Sequence, residues 1–218
     1  MNRVLRSSQL SPQTVSSIGI AVHSEGLHIG ILYRVTENAT VKLLHLAWHH
    51  NLRSDELKPQ YSYWIRPKIE DDRAMAIASF CRRIWKQNER NQVPYAFSHP
   101  NNFFDTSGNL IKGPAKIGLT CASFVLAVFD GARVPLADLA TWPDPTPKDK
   151  ERQRELLQKL TDDPAVDRKH VDAARSEIDN TRYHPLDVAG AGTSDDLPAP
   201  YWYASKMGGE ISALLKSR

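Results

Sequence analysis

Residues 17 to 48 decide the fold and read SIGIAVHSEGLHIGILYRVTENATVKLLHLAW. Three runs rich in β-branched and aliphatic residues, 17–23, 27–35 and 41–48, are separated by short polar connections, the first of which contains Gly26. Such runs predict β-strands, and a short connection with glycine is typical of a hairpin. This stretch therefore predicts a three-stranded antiparallel meander.

A helix is predicted next, over residues 70–87. Its apolar side chains recur at spacings of three and four, and Asp71 and Asp72 occupy the first turn, where the helix dipole favours acids. Cys81 lies on the apolar stripe of this helix. Because cysteine is among the most frequently buried residues, we expect an unreactive core thiol there.

A second helix is predicted over residues 119–129, after loops that include a hairpin around residues 105–109. It is apolar almost all round, which is typical of a buried central helix. Thr120 has the side chain of an N-cap, and Gly131 supplies the C-terminal stop. Cys121 therefore lies at a helix N-terminus, where unpaired N–H groups favour a thiolate.

The character of the chain changes after Trp142. Three prolines precede a charge-dense stretch, 148–182, in which a narrow leucine stripe predicts a surface-packed helix. Residues 188–200 are interpreted as a loop, and 201–203 with 211–215 as an aromatic cluster and a short helix. We divide the chain into an N-terminal segment, a core domain and a charged helical extension packed on that core, at residues 1–16, 17–145 and 146–218.

Composition indicates an ordinary globular protein: 218 residues, 41% hydrophobic and 24% charged. The net charge is +3 with no separate basic block, so a nucleic-acid partner is not implied. No apolar run reaches the length of a membrane span, and no signal peptide is evident. We therefore expect a cytoplasmic protein, or one exported by a signal-independent route. The two cysteines lack a CxxC partner, so neither a disulfide framework nor a zinc site is expected.

Histidines on the predicted sheet supply the candidate chemistry. A cysteine nucleophile needs an imidazole to take its proton and a third polar group to orient that imidazole. His28 and His45 lie on consecutive predicted strands and can share a face if their parity matches. His23, across the short turn from His28, is an alternative to either.

A metal site at HLAWHH, residues 45–50, is a weaker interpretation. On a strand His45 and His49 share a face while His50 points away, and no carboxylate lies at ligand spacing. We expect no metal and no cofactor.

Three short motifs carry a resemblance to a known superfamily. LHIGILY at 27–33 looks like an "HxGIY" strand, LLHL at 43–46 looks like the strand that follows it, and LTCASFV at 119–125 looks like the start of a cysteine-bearing helix. Together they resemble the circularly permuted NlpC-type papain-like superfamily, in the branch that includes lecithin retinol acyltransferase-like enzymes. The histidines precede the cysteine, as in that branch, and Val93-Pro94-Tyr95 is similar to its Pro-Tyr pair. The likeness covers residues 18–142.

The resemblance implies an α+β fold with a permuted papain-like core, in which a small antiparallel sheet packs on the cysteine-bearing central helix. It implies that Cys121 is the nucleophile, His28 its base and His45 the orienting group, with the Cys121 backbone N–H in an oxyanion hole. The expected activity is thiol-dependent hydrolysis or acyl transfer on a peptide, isopeptide or other acyl-bearing substrate. Hydrolysis of an amide is favoured, because acyltransferases of this branch often carry a membrane anchor and none is found in this sequence.

The sequence also departs from the family pattern. Thr120 stands where the branch commonly has asparagine, the segment between His28 and His45 is longer, and residues 148–218 match no part of the family. These departures leave the acyl donor open among peptidoglycan peptides, protein tails and lipids. The alternative is a catalytically inactive papain-like scaffold that binds a protein partner.

Overall fold

The computed structural model describes residues 4–6, 17–36, 38–88, 93–111, 113 and 116–217. Most of the predicted N-terminal segment, residues 1–3 and 7–16, lies outside the described residues. The described strands and helices are β1 Val4–Arg6, β2 Ile18–His23, β3 Ile29–Tyr33, β4 Lys42–Trp48, β5 Asn51–Asp55, β6 Tyr61–Ile65, α1 Asp71–Asn88, α2 Cys121–Gly131, α3 Pro147–Asp162, α4 Arg168–Arg175, α5 Pro185–Ala191 and α6 Tyr201–Lys216.

The strands form one antiparallel sheet in the order β1-β6-β2-β3-β4-β5. Its centre, β2-β3-β4, is the predicted meander. β5 extends the meander at one edge, while β6 returns to pair with β2 on the other side. The predicted class, α+β with a small antiparallel sheet and helices, is confirmed.

Both faces of the sheet are buried, which explains why its central strands read as nearly continuous apolar runs. One face, represented by Ile20, Ile31 and Leu44, joins the main hydrophobic core with α1 and α2. The other face carries a smaller apolar cluster that includes Leu32 and Trp64. Alternation along β4 places His45 on this second face, between Leu44 and Leu46 of the main core.

The two predicted helices of the first part are present. α1 buries its apolar stripe, including Cys81, which is 0% exposed. α2 is buried from Cys121 to Phe129 and ends at Gly131. Thr120 forms a capping box, since its hydroxyl accepts from the N–H of Ser123 while the Ser123 hydroxyl accepts from the N–H of Thr120. This cap fixes the residue after it, Cys121, at the first position of the helix.

The C-terminal part corrects three expectations. The charge-dense stretch forms two helices, α3 and α4, because Pro164 follows the last turn of α3 and cannot continue a helix. The region interpreted as a loop from residue 188 is helical as α5 up to Ala191. The short helix expected at 211–215 is part of α6, which begins at Tyr201.

Small residues explain why the region of α5 was interpreted as a loop from its sequence. A Cβ built on Gly190 would lie 2.2 Å from the carbonyl oxygen of Ala204 and 2.7 Å from the nitrogen of Gly208, so α5 and α6 touch through their backbones. Glycine and alanine there permit close helix packing, although in sequence they resemble a loop. The main core continues into these helices, and the division of the chain near residue 145 stays a prediction. No helix among the described residues is long and apolar enough to span a membrane.

Candidate active site

The two candidate histidines meet on the second face of the sheet. His28 immediately precedes β3 and His45 lies in β4, and the Nε2 atom of His28 is 2.8 Å from the Nδ1 atom of His45. Their rings are nearly perpendicular, with centroids 5.0 Å apart. The parity that the sequence left open is therefore matched.

Gly30 makes room for this pair. The register of β3 and β4 sets Gly30 opposite His45, and a Cβ built on Gly30 would lie only 2.7 Å from the Cβ of His45. Real Cβ atoms essentially never come that close, so a side chain at Gly30 would force β4 or His45 to move. Close packing of Gly30 against His45 therefore explains the glycine of the HxGI motif in this chain.

A carboxylate that the sequence did not suggest lies behind His45. The Nε2 atom of His45 is 3.8 Å from Oδ2 of Asp55, at the end of β5. Arg53 and Lys58 approach the same oxygen at 2.7 and 3.7 Å. Arg53 is the cross-strand partner of His45, so Asp55 is its diagonal neighbour. Asp55 could have been placed at the site if β5 had been recognised as a strand in the sequence. The sequence of β5, NLRSD, has no apolar alternation that would predict one.

His23, the alternative third residue, makes a different set of contacts. Its Nδ1 accepts a hydrogen bond from the backbone N–H of Glu25 at 3.3 Å, and its ring packs edge-on against Tyr61 at 5.5 Å. The Tyr61 hydroxyl is 3.5 Å from Nδ1 of His45. Among the described contacts, His45 is the histidine that hydrogen-bonds to His28.

Cys121 lies beside the backbone on both sides of His28. Its Sγ is 3.9 Å from the carbonyl oxygen of Leu27, and the N–H of Ile29 donates to the sulfur. The residue is 5% exposed. The start of α2 is therefore held against the start of β3, next to the residue that bears the first imidazole.

The thiol and both imidazoles are neutral at pH 7. Burial raises the pKa of Cys121 to about 11, although the N–H groups of Ile29, Ala122 and Cys121 itself, and the charge of Arg182, all act to lower it. Burial lowers the pKa of His28 to about 4, and the neighbouring His45 adds to that shift. Burial also lowers the pKa of His45 to about 4, opposed by the charge of Asp55. The free site therefore holds a thiol and an imidazole rather than an ion pair.

A small cavity of about 80 Å³ opens onto Cys121. Leu27 and Tyr95 contribute to its lining, and the C-terminal part contributes residues from α3 and from the segment before α5. The full lining is Leu27, Tyr95, Phe97, Thr120, Cys121, Ala122, Arg152, Gln153, Leu156, Arg182, Tyr183 and Pro185. The predicted extension therefore helps to enclose the cavity beside the candidate nucleophile, which the sequence did not reveal.

The histidines of the HLAWHH stretch separate in space. His45 bonds to His28, whereas the ring of His49 packs on His50 and His170 with centroids 4.0 and 4.3 Å apart. The Nδ1 atom of His49 accepts from the N–H of Tyr95 at 3.3 Å. Within the described ranges, no group of three or more His, Cys, Asp or Glu residues is arranged to hold a metal ion.

No protein-family model matches the chain, and neither a curated protein nor a solved structure matches it.

Proposed function

We propose that this protein is a cysteine-dependent hydrolase or acyltransferase with a permuted, NlpC-type papain-like core. Cys121 is the nucleophile, His28 the general base and acid, and His45 the residue that orients His28. The observation that carries the proposal is the 2.8 Å contact between Nε2 of His28 and Nδ1 of His45. Cys121, at the N-terminus of α2, contacts the backbone of Leu27 and Ile29 on either side of His28. The amidase or peptidase reaction is the preferred form.

The position of Asp55 favours one arrangement of protons on the imidazoles of His45 and His28. A neutral His45 that carries its proton on Nε2, toward the Asp55 carboxylate, has a lone pair on Nδ1. That lone pair accepts the Nε2–H of His28 at 2.8 Å. The Nδ1 atom of His28 is then unprotonated and free to take a proton. A carboxylate behind the second imidazole also stabilises the positive charge that forms when His28 is protonated.

The proposed reaction proceeds through an acyl-enzyme. The Cys121 thiol gives its proton to Nδ1 of His28 as the sulfur bonds to the substrate carbonyl carbon. The tetrahedral intermediate collapses, the bond to the leaving amine breaks, and the amine takes the proton from His28. Water then attacks the thioester with His28 again accepting a proton, which returns to the departing sulfur. For acyl transfer, an acceptor amine or alcohol replaces that water.

The surroundings of Cys121 suit the charge that develops on the carbonyl oxygen. The N–H of Cys121 belongs to the first turn of α2, where backbone N–H groups have no intrahelical acceptor. Arg182 lines the same cavity, and its charge already acts to lower the pKa of Cys121. Both features favour the tetrahedral oxyanion over the neutral ground state.

The test is acylation by activated donors of three classes. The purified protein is incubated with thioesters of an N-acetylated dipeptide, a Gly-Gly protein-tail mimic and a decanoyl chain, and its intact mass is followed over time. We expect a transient adduct that maps to Cys121 with at least one donor and is absent from Cys121→Ala. An adduct that persists in Cys121→Ala would contradict the proposal.

A second candidate, a non-catalytic binding module on the same scaffold, is favoured by one observation. Cys121 is nearly fully buried and its pKa is raised to about 11, which resembles a structural thiol more than an activated one. If all three thioesters leave Cys121 unmodified while the folded protein is intact, this second function becomes the better account.

A further inference from the structure

Three histidines meet where the turn between β4 and β5 contacts α4. The ring of His49 lies against the rings of His50 and His170, with centroids 4.0 and 4.3 Å away. His49 and His50 belong to that turn, and His170 belongs to α4. These imidazoles take no part in the proposed reaction. The cluster joins the first part of the chain to its C-terminal helices.

Two of these histidines bond to the backbone of Tyr95. The Nδ1 atom of His49 accepts from the Tyr95 N–H at 3.3 Å, and the Nε2 atom of His170 lies 2.9 Å from the Tyr95 carbonyl oxygen. A backbone N–H only donates and a carbonyl only accepts, so His49 has no proton on Nδ1 while His170 carries one on Nε2. His170 keeps its bond when it is protonated, whereas His49 makes its bond only as a neutral imidazole.

Tyr95 connects this cluster to the cavity at Cys121. It lines that cavity, and burial raises its pKa, a shift to which the nearby Cys121 adds. The N–H of Leu119 donates to the carbonyl oxygen of Pro94 at 3.0 Å, so this segment is bonded to the chain just before α2. α4 packs against α3, whose residues also line the cavity. The histidines therefore hold two of the segments on which the shape of the cavity depends.

The cavity is too small to hold a substrate as it stands. Its volume is about 80 Å³, whereas ligand pockets commonly measure about 300–1,000 Å³, and Cys121 is 5% exposed. Part of the lining has to move before a substrate can reach the sulfur. A segment held by a hydrogen bond that depends on protonation is one that a change in pH can release.

The groups around His49 resist its protonation in this closed arrangement. Burial lowers the pKa of His49 to about 4, and the imidazoles of His50 and His170 add to that shift. Asp163, which follows α3, opposes the shift, and its Oδ2 accepts from the indole N–H of Trp48 at 2.9 Å. An exposed histidine has a pKa of about 6.5. The closed arrangement is therefore favoured above about pH 6.5 and loses stability as the pH falls from there toward about 4.

We propose that His49 and His170 form an acid-sensitive latch, which holds Tyr95 and α4 in place around the Cys121 cavity at neutral pH and releases them when His49 takes up a proton. Protonation removes the acceptor for the Tyr95 N–H and places a positive charge against two other imidazoles. The latch controls access to Cys121. It goes beyond the proposed function, because it concerns access to the thiol whether or not the thiol is acylated.

The test measures access to Cys121 without relying on acylation. The native protein is treated with 2,2′-dipyridyl disulfide, which reacts with thiols in acid as well as at neutral pH, and modification of each cysteine is followed by peptide mapping. Each rate constant is divided by that of N-acetylcysteine amide at the same pH, which corrects for the reactivity of the reagent. Cys81, which is buried in the main core, reports any global unfolding.

We expect the normalised rate at Cys121 to rise about tenfold from pH 7 to pH 5 while Cys81 stays unmodified. In His49→Asn, whose Oδ1 can accept the Tyr95 N–H but cannot be protonated, the rise should shrink to within about twofold. The other histidines are common to both proteins, so this difference belongs to His49.

His50→Asn is the matched control. It changes the adjacent histidine, whose described hydrogen bond runs from its backbone N–H to the carbonyl of Val93, and it should retain the native rise. Asparagine also tolerates the φ of 52° at this position.

Two results would overturn the inference. An equal rise at Cys121 in the native protein and in His49→Asn would show that acid does not act through His49. A rise at Cys81 that matches the rise at Cys121 would show that acid unfolds the protein instead of opening the cavity. Neither result bears on acylation of Cys121, and a protein that is never acylated can still have the latch, so the two proposals fail separately.

Discussion

Cys81 and Cys121 differ less in burial than in what surrounds them. Both are free thiols, 0% and 5% exposed, and burial raises the pKa of each. Cys81 lies in the middle of α1, in the main apolar core. Cys121 is the first residue of α2 and lies against the backbone that flanks His28. Burial alone therefore does not distinguish a structural thiol from a candidate nucleophile. The position of the cysteine on its helix and its polar neighbours do distinguish the two.

Replacing His28, the proposed base, should remove most of the difference in acylation rate between Cys121 and Cys81. We expect His28→Gln to slow acylation of Cys121 by roughly 10²- to 10⁴-fold, the usual contribution of a positioned general base. His23→Gln is the matched control, since it changes a nearby histidine whose described hydrogen bond is to Glu25, and should leave the rate within about twofold. Stopped-flow release of 4-nitrophenolate from 4-nitrophenyl acetate measures the acylation rates of both variants. Equal losses in the two variants would mean that the histidine cluster acts only as a structural unit.

The pH dependence of alkylation should distinguish the thiols by a second route. Because the pKa of Cys121 is raised to about 11, its thiolate fraction, and hence its rate with iodoacetamide, should increase about tenfold per pH unit from pH 7 to 9. Cys81 should react only when the protein unfolds. Peptide mapping at several pH values gives both rates. A Cys121 rate independent of pH would indicate that a thiolate–imidazolium pair is already formed.

A smaller effect is expected at Gly30, where the packing that brings His45 to His28 can be disturbed. Gly30→Ala inserts a Cβ at 2.7 Å from that of His45 and 3.0 Å from the carbonyl oxygen of Leu44. We expect the free energy of unfolding to fall by about 1–3 kcal/mol and acylation to slow with it. Gly209→Ala, with open space around its Cβ in α6, should raise stability by about 0.5–1 kcal/mol. Urea unfolding of both variants measures the contrast, and a stable Gly30→Ala would refute this reason for the glycine.

The elements that sequence patterns predicted well are those whose burial is encoded locally. Alternating or continuous apolar runs located β2, β3 and β4, and helical spacing located α1. The cap at Thr120 was visible because an N-cap needs only its own hydroxyl and the residue three positions on. The first position of Cys121 on its helix followed from that cap.

Elements that depend on distant partners were missed. β5 is an edge strand, and edge strands carry polar residues that conceal their pattern. α5 consists largely of small residues whose value lies in contact with α6. The candidate site divides in the same way into a part that the sequence could predict and a part that it could not. The pairing of His28 with His45 could be anticipated from strand order. Asp55 and the α3 residues that line the cavity reach the site only through tertiary packing.

The most direct test of the account is the location of a transferred acyl group. The native protein, Cys81→Ser and Cys121→Ser are treated with 4-nitrophenyl acetate, digested and mapped by mass spectrometry. We expect a transient acetyl group on Cys121 in the native protein and in Cys81→Ser, and no acetylated thiol in Cys121→Ser. An acetyl group on Cys81, or a native protein in which Cys121 is never acetylated, would contradict the assignment of Cys121 as a nucleophile.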